Sequence, residues 1–242
     1  MLSDESYAEF ISRAKSFDLD LNESELQAFE RYYNELFVYN SHTNLVANTE
    51  EEEEVYIKHF LDSLAFSLVE EDKDRKFSLL DFGCGGGFPG VPILIVYKQA
   101  NLVAVDSVGK KIRFVDKLST ALGIGSRLVS KNARIEDLEP NNREFYDYIT
   151  ARAVAPLSML VEYCVPYLKV GGQLVAYKSK TAEEEISTAE NALRLLHAEV
   201  ADVKDYKIDS DSVRKLVVIE KTAPSDKQYP RKNGLVKKHP LW

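Results

Sequence analysis

The sequence is poor in the side chains that stabilise disulfide-linked or metal-bound domains. Only two of its 242 residues are cysteines, Cys84 and Cys164, and only four are histidines. Two cysteines cannot supply a disulfide framework or a zinc site on their own, and the histidines are scattered without the spacing of metal ligands. We therefore expect no metal site, and a reducing environment such as the cytoplasm.

Long apolar runs are also lacking. No stretch approaches the roughly 18 uninterrupted apolar residues that a membrane-spanning helix requires. The first twenty residues do not show a basic segment followed by an apolar core, so we expect no export signal. Hydrophobic residues make up 45% of the chain and charged residues 29%, as in an ordinary globular protein. The sequence predicts one large domain, or one domain with an appendage, in the cytoplasm.

Positive charge is scarce overall but concentrated at the C-terminus. The net charge of the chain is −8. Residues 223–242 carry +4, which leaves −12 for residues 1–222. An acidic body with a basic tail can still bind a polyanion locally, because the potential near a surface depends on the nearest charges. The prolines and the glycine of the tail favour an irregular, extended arm.

The first seventy residues predict helices. Asn22 and Glu25 have the spacing of a capping box, and Thr49 and Glu52 form a second one. Apolar residues recur at helical intervals behind both boxes: Leu26, Phe29, Tyr33 and Leu36 behind the first, and Ile57, Leu61, Leu64 and Leu68 behind the second. We assign residues 1–70 to an N-terminal helical region.

Beyond a charged link at residues 70–76, short apolar runs rich in β-branched residues alternate with helical patterns. These predicted strands cover 77–83, 101–107, 127–133, 146–154 and 173–179. Such alternation is typical of βαβ units in a buried parallel sheet. Two further runs, at 199–208 and 214–222, are separated only by a polar turn and predict an antiparallel pair. We predict an α/β domain over residues 71–222 with a doubly wound, mostly parallel seven-strand sheet, followed by the basic arm at 223–242.

A glycine-rich loop follows the first predicted strand, and two types of cofactor fit it. Gly85, Gly87 and Gly90 match the dinucleotide fingerprint G-x-G-x-x-G. Gly83, Gly85 and Gly87 match the looser G-x-G-x-G loop of S-adenosylmethionine enzymes. Asp106 stands about twenty residues further on, where a ribose-binding acid is expected in either type. A third interpretation is that the glycines serve only a tight turn.

Asp81, which precedes the loop, helps to separate these alternatives. A carboxylate at this position would repel a pyrophosphate, whereas it suits a sulfonium cation and an amino-acid ammonium group. The antiparallel pair at the end of the sheet also favours a methyltransferase. We therefore predict that Asp81 and the three glycines of the looser pattern hold the amino-acid end of S-adenosyl-L-methionine. Asp106 would bind its ribose, with Ser107 beside it.

The segment DFGCGGGFPG at 81–90, followed by VAVDSVGKKIRFV at 103–115, closely resembles the glucose-inhibited division protein B family of 16S ribosomal RNA guanine-N7 methyltransferases. Further segments resemble the family in the same order: residues 44–45, 56–63, 133–137, 150–155, 230–234 and 238–241. The resemblance covers roughly residues 25–241. It implies a Rossmann-like methyltransferase sheet, S-adenosyl-L-methionine as cofactor, and the small ribosomal subunit as partner.

The resemblance also implies positions for the site residues. The family's cofactor contacts fall on Gly83, Phe88, Asp106, Ile135, Glu136 and Arg152. Ile135 and Glu136 would hold the adenine, and Arg152 would lie near the transferring methyl group. This chain departs from the family at two places. The family often has alanine where Ile135 stands, although a backbone contact would survive that change, and it often has glycine where Ser179 follows Lys178.

The chemistry that the resemblance implies needs no general base, because guanine N7 already carries an exposed lone pair. Catalysis would be mostly positioning, which can supply several kcal/mol, and Arg152 would contribute to it near the transferring methyl group. His59 and Asp62 share one face of a helix, either for a local hydrogen bond or to line the substrate mouth. Both cysteines are expected to be passive. The alternatives are a dinucleotide-dependent oxidoreductase and a non-catalytic RNA-binding assembly factor.

RNA contacts are expected from cations in the last strand of the parallel set and in the tail: Lys178, Arg231, Lys232, Lys237 and Lys238. On this interpretation, deleting residues 227–242 weakens RNA binding and leaves the cofactor affinity unchanged. A second basic group at Lys110, Lys111 and Arg113 forms either a solvated helix face or further phosphate contacts. We expect no membrane association and see no sign of an obligate protein partner.

Overall fold

The computed structural model describes residues 4–41, 43, 45–46, 51–209, 213–232 and 234–242. Thr49 of the second predicted capping box and Asn44 of the family segments lie outside the described residues. The capping box at Asn22 is confirmed. Its side chain accepts a hydrogen bond from the Glu25 N–H, and the Glu25 carboxylate accepts one from the Asn22 N–H.

The N-terminal region is helical, as predicted. It contains α1 (Asp4–Lys15), α2 (Glu23–Asn40), α3 (Glu52–Val55), a π-helical turn (Tyr56–Leu61), α4 (Asp62–Leu64) and a 3-10 turn (Ala65–Leu68). The apolar residues Ile57, Leu61 and Leu64 are buried, which is what their helical spacing predicts. The segment from Glu52 to Leu68 therefore presents one continuous apolar face to the rest of the molecule.

Within the described residues, the sheet has seven strands: β1 (Ser78–Phe82), β2 (Asn101–Asp106), β3 (Leu128–Asn132), β4 (Tyr146–Arg152), β5 (Leu168–Lys178), β6 (Ala198–Tyr206) and β7 (Arg214–Lys221). Their order is β3-β2-β1-β4-β5-β7-β6. The first five strands run parallel, and β7 pairs antiparallel with β5 and β6. The predicted α/β fold is confirmed. The winding reverses between β1 and β4, which is where open α/β sheets bind ligands.

Helices cover both faces of the sheet. They are α5 (Gly90–Val96), α6 (Gly109–Ala121), α7 (Leu157–Cys164), α8 (Ala182–Leu196) and the short α9 (Leu235–Lys238). One core joins the N-terminal helices, α5 and α6 to the sheet and includes Phe29 and Leu79. The other core packs α7 and α8 against the opposite face and includes Leu80 and Leu160. Neighbouring residues of β1 thus point into different cores, as the two-residue period of a strand requires.

The charged link at residues 70–76 is anchored to the body of the protein. Glu70 is buried, and its Oε2 accepts hydrogen bonds from Arg75 at 2.5 Å and from the Tyr148 hydroxyl at 2.8 Å. The Tyr97 hydroxyl donates to the Glu70 carbonyl. Because the N-terminal helices also share a core with the sheet, the division of the chain at residue 70 stays a prediction about folding units.

The expectation of an extended C-terminal arm is wrong. Tyr229 and Val236 are buried in the core on the α7 side of the sheet, and residues 235–238 form α9. Arg143 donates to the carbonyls of Tyr229 and Asp226. Apolar residues between the basic ones thus dock the tail against the sheet. No helix in the described ranges combines the length and hydrophobicity needed to span a bilayer.

Candidate active site

The glycine loop turns the chain sharply between β1 and α5. Gly83, Gly85 and Gly87 have φ angles of +72°, +54° and +95°, in the left-handed region that glycine adopts without strain. A Cβ on Gly83 would lie 2.6 Å from Cγ2 of Val154, and a Cβ on Gly87 would lie 2.6 Å from the hydroxyl oxygen of Tyr32. The backbone therefore requires the three glycines of the G-x-G-x-G pattern.

Asp81 lies beneath this loop. Its side chain is fully buried. One carboxylate oxygen accepts a hydrogen bond from the Gly90 N–H at 2.9 Å, and the other accepts one from the Thr150 hydroxyl at 3.1 Å. Burial raises the pKa of Asp81 to about 7. Asp81 thus braces the loop from below, and its contact with the ammonium group of the cofactor stays a prediction.

A cavity of about 580 Å³, the first cavity, opens at the carboxyl ends of β1, β2 and β4. Five predicted cofactor residues line it: Gly83, Asp106, Ser107, Ile135 and Glu136. The other five lie outside its lining: Asp81, Gly85, Gly87, Phe88 and Arg152. Lys237, predicted to bind RNA, also lines this cavity. The tail therefore borders the cavity, and the effect of deleting residues 227–242 on cofactor binding stays a prediction.

Asp106 ends β2 and ties the glycine loop to the start of α6. Its Oδ2 accepts a hydrogen bond from the Gly85 N–H at 3.0 Å, and its Oδ1 accepts one from the Val108 N–H at 2.9 Å. The ammonium group of Lys111 lies 3.8 Å from Oδ2. A carboxylate has about four acceptor positions. Asp106 can therefore accept two further hydrogen bonds from a diol such as a ribose, so the lining fits an adenosyl cofactor.

We expect Asp106→Ala to weaken the binding of S-adenosylhomocysteine by about 1.5–3 kcal/mol, the range for hydrogen bonds to a charged group. Because Asp106 also holds the N–H groups of Gly85 and Val108, the free energy of unfolding should fall by about 1 kcal/mol. Calorimetric titration of the folded variant measures the first effect. Asp106→Asn keeps one acceptor oxygen and should give an intermediate affinity. Wild-type affinity in folded Asp106→Ala would remove this residue from the site.

A second prediction follows from the buried carboxyl of Asp81. Its pKa is higher in the folded state than in the unfolded chain, so the folded state holds the proton between pH 4 and about 7. Its contribution to stability is full at low pH and is lost as the pH rises through 7. Without a charge, Asp81→Asn can still accept from the Gly90 N–H through its oxygen, and its NH2 group can donate to the Thr150 hydroxyl in place of accepting from it. We expect this variant to be more stable than the wild type at pH 8 by about 1–2 kcal/mol.

Denaturant unfolding of the wild type and Asp81→Asn at pH 5 and pH 8 measures this effect. The stability difference between the two proteins should grow with pH. A difference that is the same at both pH values would show that Asp81 does not titrate in this range.

Arg152 ends β4 and is held by the N-terminal helices. Its guanidinium carbon lies 5.1 Å from the centre of the Phe88 ring. Its Nη1 donates to Oδ2 of Asp62 at 3.0 Å, and its Nη2 lies 3.2 Å from Nδ1 of His59. Burial, with Arg152 as a second cause, lowers the pKa of His59 to about 3. The ring is therefore neutral at ordinary pH, and Nδ1 accepts the hydrogen bond from Arg152.

Asp62 links Arg152 to the far edge of the sheet. It is 1% exposed, and its Oδ1 accepts a hydrogen bond from the Tyr206 hydroxyl at 2.7 Å. Arg214 lies 3.9 Å from the same oxygen. Sequence reasoning missed Tyr206 and Arg214, which no local motif marks. The predicted antiparallel pair does place them together, because they are cross-strand partners of β6 and β7.

A second cavity, of about 640 Å³, lies beside the first. Both cavities are bordered by residues 153–156, so this loop forms a shared wall. Arg152, Tyr206 and Arg214 also line the second cavity. His59 and Asp62 do not line this cavity themselves; both contact Arg152, which does.

Two of the predicted RNA-binding cations bind carboxylates of the protein. Lys178 donates to Oε2 of Glu185 at 2.6 Å and to the Ala155 carbonyl at 2.9 Å. Arg231 donates from Nε and Nη2 to the two oxygens of Glu162, at 2.7 and 2.6 Å. Both residues therefore brace the protein through these bonds, and their contact with RNA stays a prediction. The remaining tail cations are exposed: Lys232, Lys237 and Lys238.

The two cysteines lie in the cores. Cys84 and Cys164 are both buried, and burial raises the pKa of each thiol. A thiol in this state is a poor nucleophile at neutral pH. Among the residues that the structure describes, no group of three or more histidine, cysteine or acidic side chains is arranged to hold a metal ion.

Known proteins resemble this chain in sequence and in fold. A model of the GidB family, described as rRNA small subunit methyltransferase G, matches residues 25–216. A Lactobacillus johnsonii protein named ribosomal RNA small subunit methyltransferase G is 40% identical over 237 residues, which cover 96% of this chain and 98% of that protein. A protein of the same name from Lactococcus lactis subsp. cremoris is 37% identical over 235 residues, with the same coverage.

Among solved structures, TYW2 of M. jannaschii in complex with AdoMet superposes with a TM-score of 0.52 and 13% identity over 61% of this chain and 70% of that one. This likeness shows a shared methyltransferase fold. The sequence matches span most of the chain and show the family as well as the fold. They do not favour a dinucleotide-dependent oxidoreductase. The chain therefore belongs to the rRNA small subunit methyltransferase G family and is an S-adenosylmethionine-dependent methyltransferase.

Proposed function

We propose that this protein methylates N7 of a guanine in the 16S ribosomal RNA of the small subunit. The observation that carries the proposal is the pair of cavities with a shared wall. One cavity has the lining that an adenosyl cofactor requires, and the other has arginine and tyrosine side chains suited to a nucleotide. The cofactor supplies an electrophilic methyl group on a sulfonium. Relatives named for small-subunit RNA methylation support the RNA as substrate.

The first cavity would hold the cofactor through carboxylates and apolar surface. Asp106 would accept the ribose hydroxyls, with Ser107 beside it. Ile135, whose side chain is 1% exposed, would pack on the adenine, and the Glu136 carboxylate could accept a hydrogen bond from its amino group. The N–H of Gly83 already donates to the Val105 carbonyl at 2.8 Å. The glycine loop would therefore help mainly by letting the backbone come close to the cofactor, and less by donating hydrogen bonds to it.

Arg152 would position the reacting groups between the cavities. Its place over Phe88 and against Asp62 fixes the guanidinium in a partly dehydrated site, where its side chain is 15% exposed. Guanine N7 has a free lone pair, so no proton has to leave before attack. His59 cannot act as a base that titrates near neutrality, because its pKa is lowered to about 3. We therefore expect the pH profile of the methyl-transfer rate to have the same shape between pH 6 and 8 in the wild type and in His59→Ala.

The basic tail would offset the repulsion between RNA and the acidic body. Lys232 and Lys238 are exposed at its surface, and Lys237 lies at the first cavity. Residues 71–222 would form the methyltransferase domain, with residues 1–70 and 223–242 packed against its two faces. A small-subunit substrate also implies that the protein acts in the cytoplasm.

Two assays test this function. Labelled S-adenosylmethionine is incubated with the protein and small subunits from cells that lack the activity, and label should appear in the 16S RNA. An RNA-binding assembly factor would leave the RNA unlabelled. Calorimetry with S-adenosylhomocysteine and NAD should show binding of the first alone, whereas an oxidoreductase would bind NAD.

A further inference from the structure

The strand edge of the second cavity carries two arginines that share one carboxylate. Arg152 binds Oδ2 of Asp62 at 3.0 Å, and Arg214 lies 3.9 Å from Oδ1. One carboxylate between two guanidinium groups leaves a net charge of +1 at this edge. The carboxylates among the lining residues, Glu184 and Glu185, stand on α8 instead. An anion that entered the cavity would therefore be attracted to the strand edge.

Arg214 is the more accessible arginine of the pair. Its side chain is 30% exposed, against 15% for Arg152, and Lys178 on the same cavity is 9% exposed and bonded to Glu185. The distance of 3.9 Å between Arg214 and Asp62 exceeds that of a hydrogen bond. The guanidinium of Arg214 can thus bind a further anion, and its planar fork matches two oxygens of a phosphate.

Aromatic side chains close the same end of the cavity. The hydroxyl of Tyr206 donates to Asp62, and the hydroxyl of Tyr177 donates to the Ser63 carbonyl at 2.8 Å. These bonds anchor both rings at their polar ends. Each residue is 6% exposed, so each ring lines the cavity with a small, fixed part of its surface. Proteins bind unstacked bases by placing them against such aromatic surfaces. The cavity volume of about 640 Å³ is within the range of ligand pockets.

The shared wall between the two cavities is held in an unusual conformation. Ala153 has a φ of +55°, which is rare for a residue with a side chain and costs about 1–3 kcal/mol. Lys178 binds the Ala155 carbonyl and fixes the loop from the other side. Strain of this kind persists where the surrounding structure imposes it, and it is concentrated at functional sites.

We propose that the second cavity receives the guanosine that is extruded from the RNA, and that Arg214 holds a phosphate next to it. This assignment rests on the proposed function. An enzyme that modifies a base must take it from a single strand or out of its stack. A phosphate fixed at Arg214 would set the depth of the nucleotide. The base would then lie at the rim formed by residues 153–156, which line both cavities, so that N7 could meet the methyl group directly, as an in-line transfer requires.

The test compares Arg214→Ala, Arg214→Lys and Arg194→Ala with the wild type. Arg194 is an exposed arginine at the opposite end of α8, so its substitution removes the same charge away from the cavity. Arg214→Ala should raise the KM for small subunits about ten- to a hundredfold. The slope of log affinity for the subunits against log salt should flatten by about 0.7–0.9, the effect of one lost phosphate contact.

The controls separate this role from a structural one. S-Adenosylhomocysteine affinity should stay within about twofold of the wild type in all variants, Arg214→Lys should recover the salt slope, and Arg194→Ala should change neither quantity. If the wild-type protein methylates the RNA but Arg214→Ala has the same KM and salt slope as the wild type, the assignment of Arg214 is overturned. Failure of the wild type to methylate small-subunit RNA would instead overturn the proposed function, and the assignment with it.

Discussion

Arg231→Ala is expected to lower the free energy of unfolding by about 3 kcal/mol. Glu162 is fully buried and accepts hydrogen bonds from the backbone N–H, Nε and Nη2 of Arg231. Removing the guanidinium leaves a carboxylate in the core without its cation, which costs about 3–5 kcal/mol for a buried pair. We expect the lower end of this range, because the Arg231 side chain is 24% exposed and the ion pair is therefore only partly removed from water.

The same substitution should loosen the tail. Arg231 also donates to the His239 carbonyl at 2.8 Å, and Lys237 between them lines the first cavity. We expect faster proteolysis after residue 226 and a several-fold weaker affinity for S-adenosylhomocysteine. Affinity equal to that of the wild type would show that the tail does not form the cavity.

Denaturant unfolding measures the main effect, with Lys232→Ala as the matched control. Lys232 is the exposed neighbour of Arg231, so its loss should change stability by less than about 0.5 kcal/mol. The double variant Glu162→Ala with Arg231→Ala removes both charges. It should be more stable than the sum of the single effects predicts, because neither charge is left buried alone. Additive effects would contradict a buried ion pair.

Asp62→Asn is expected to reduce the rate of methyl transfer about a hundredfold. The amide can still bind Arg152 through its oxygen, and it can donate to the Tyr206 hydroxyl in place of accepting from it. The loss is therefore mainly one of charge, which leaves Arg152 and Arg214 without a counterion. The repelled guanidinium of Arg152 would shift, and a displacement of about 1 Å in a positioning group can cost 10²-fold in rate.

Single-turnover methyl transfer to small subunits measures this effect. Asp205→Asn is the matched control, since Asp205 is an exposed aspartate paired with Lys215 on the same sheet edge. S-Adenosylhomocysteine affinity should stay within about threefold of the wild type in both variants. A transfer rate within threefold of the wild type in Asp62→Asn would show that Arg152 does not depend on this carboxylate.

The elements that the sequence predicts correctly are those with a local signal. The short β-branched runs identify all of the described strands, and the glycine spacing identifies the loop whose φ angles require glycine. The predicted start of β5 is wrong, however: the strand begins at Leu168 and not at residue 173. The glycines at 171 and 172 are typical of a turn, yet here they lie within the strand, which pairs with β4 on both sides of an irregularity.

Partners of charged side chains could not be predicted, because they come from distant parts of the chain. Arg231 and Glu162 are 69 residues apart, and Arg152 and Asp62 are 90 apart. A basic residue therefore has the same sequence signature whether it binds RNA or a buried carboxylate. The carboxylate partners of Arg231 and Lys178 were missed for this reason, and their assignment to RNA stays a prediction. Asp106 does line the first cavity, because the end of a parallel strand already fixes its location, and its contact with the ribose stays a prediction.

The nucleoside that receives the methyl group tests the central claim most directly. Small subunits from cells that lack the activity are incubated with labelled S-adenosylmethionine and the wild-type protein, and their 16S RNA is then digested to nucleosides. We predict that the label appears in 7-methylguanosine and that Asp62→Asn yields about a hundredth of it in a single turnover. Label in a methylated cytidine or adenosine, or no label in the RNA, would contradict the account.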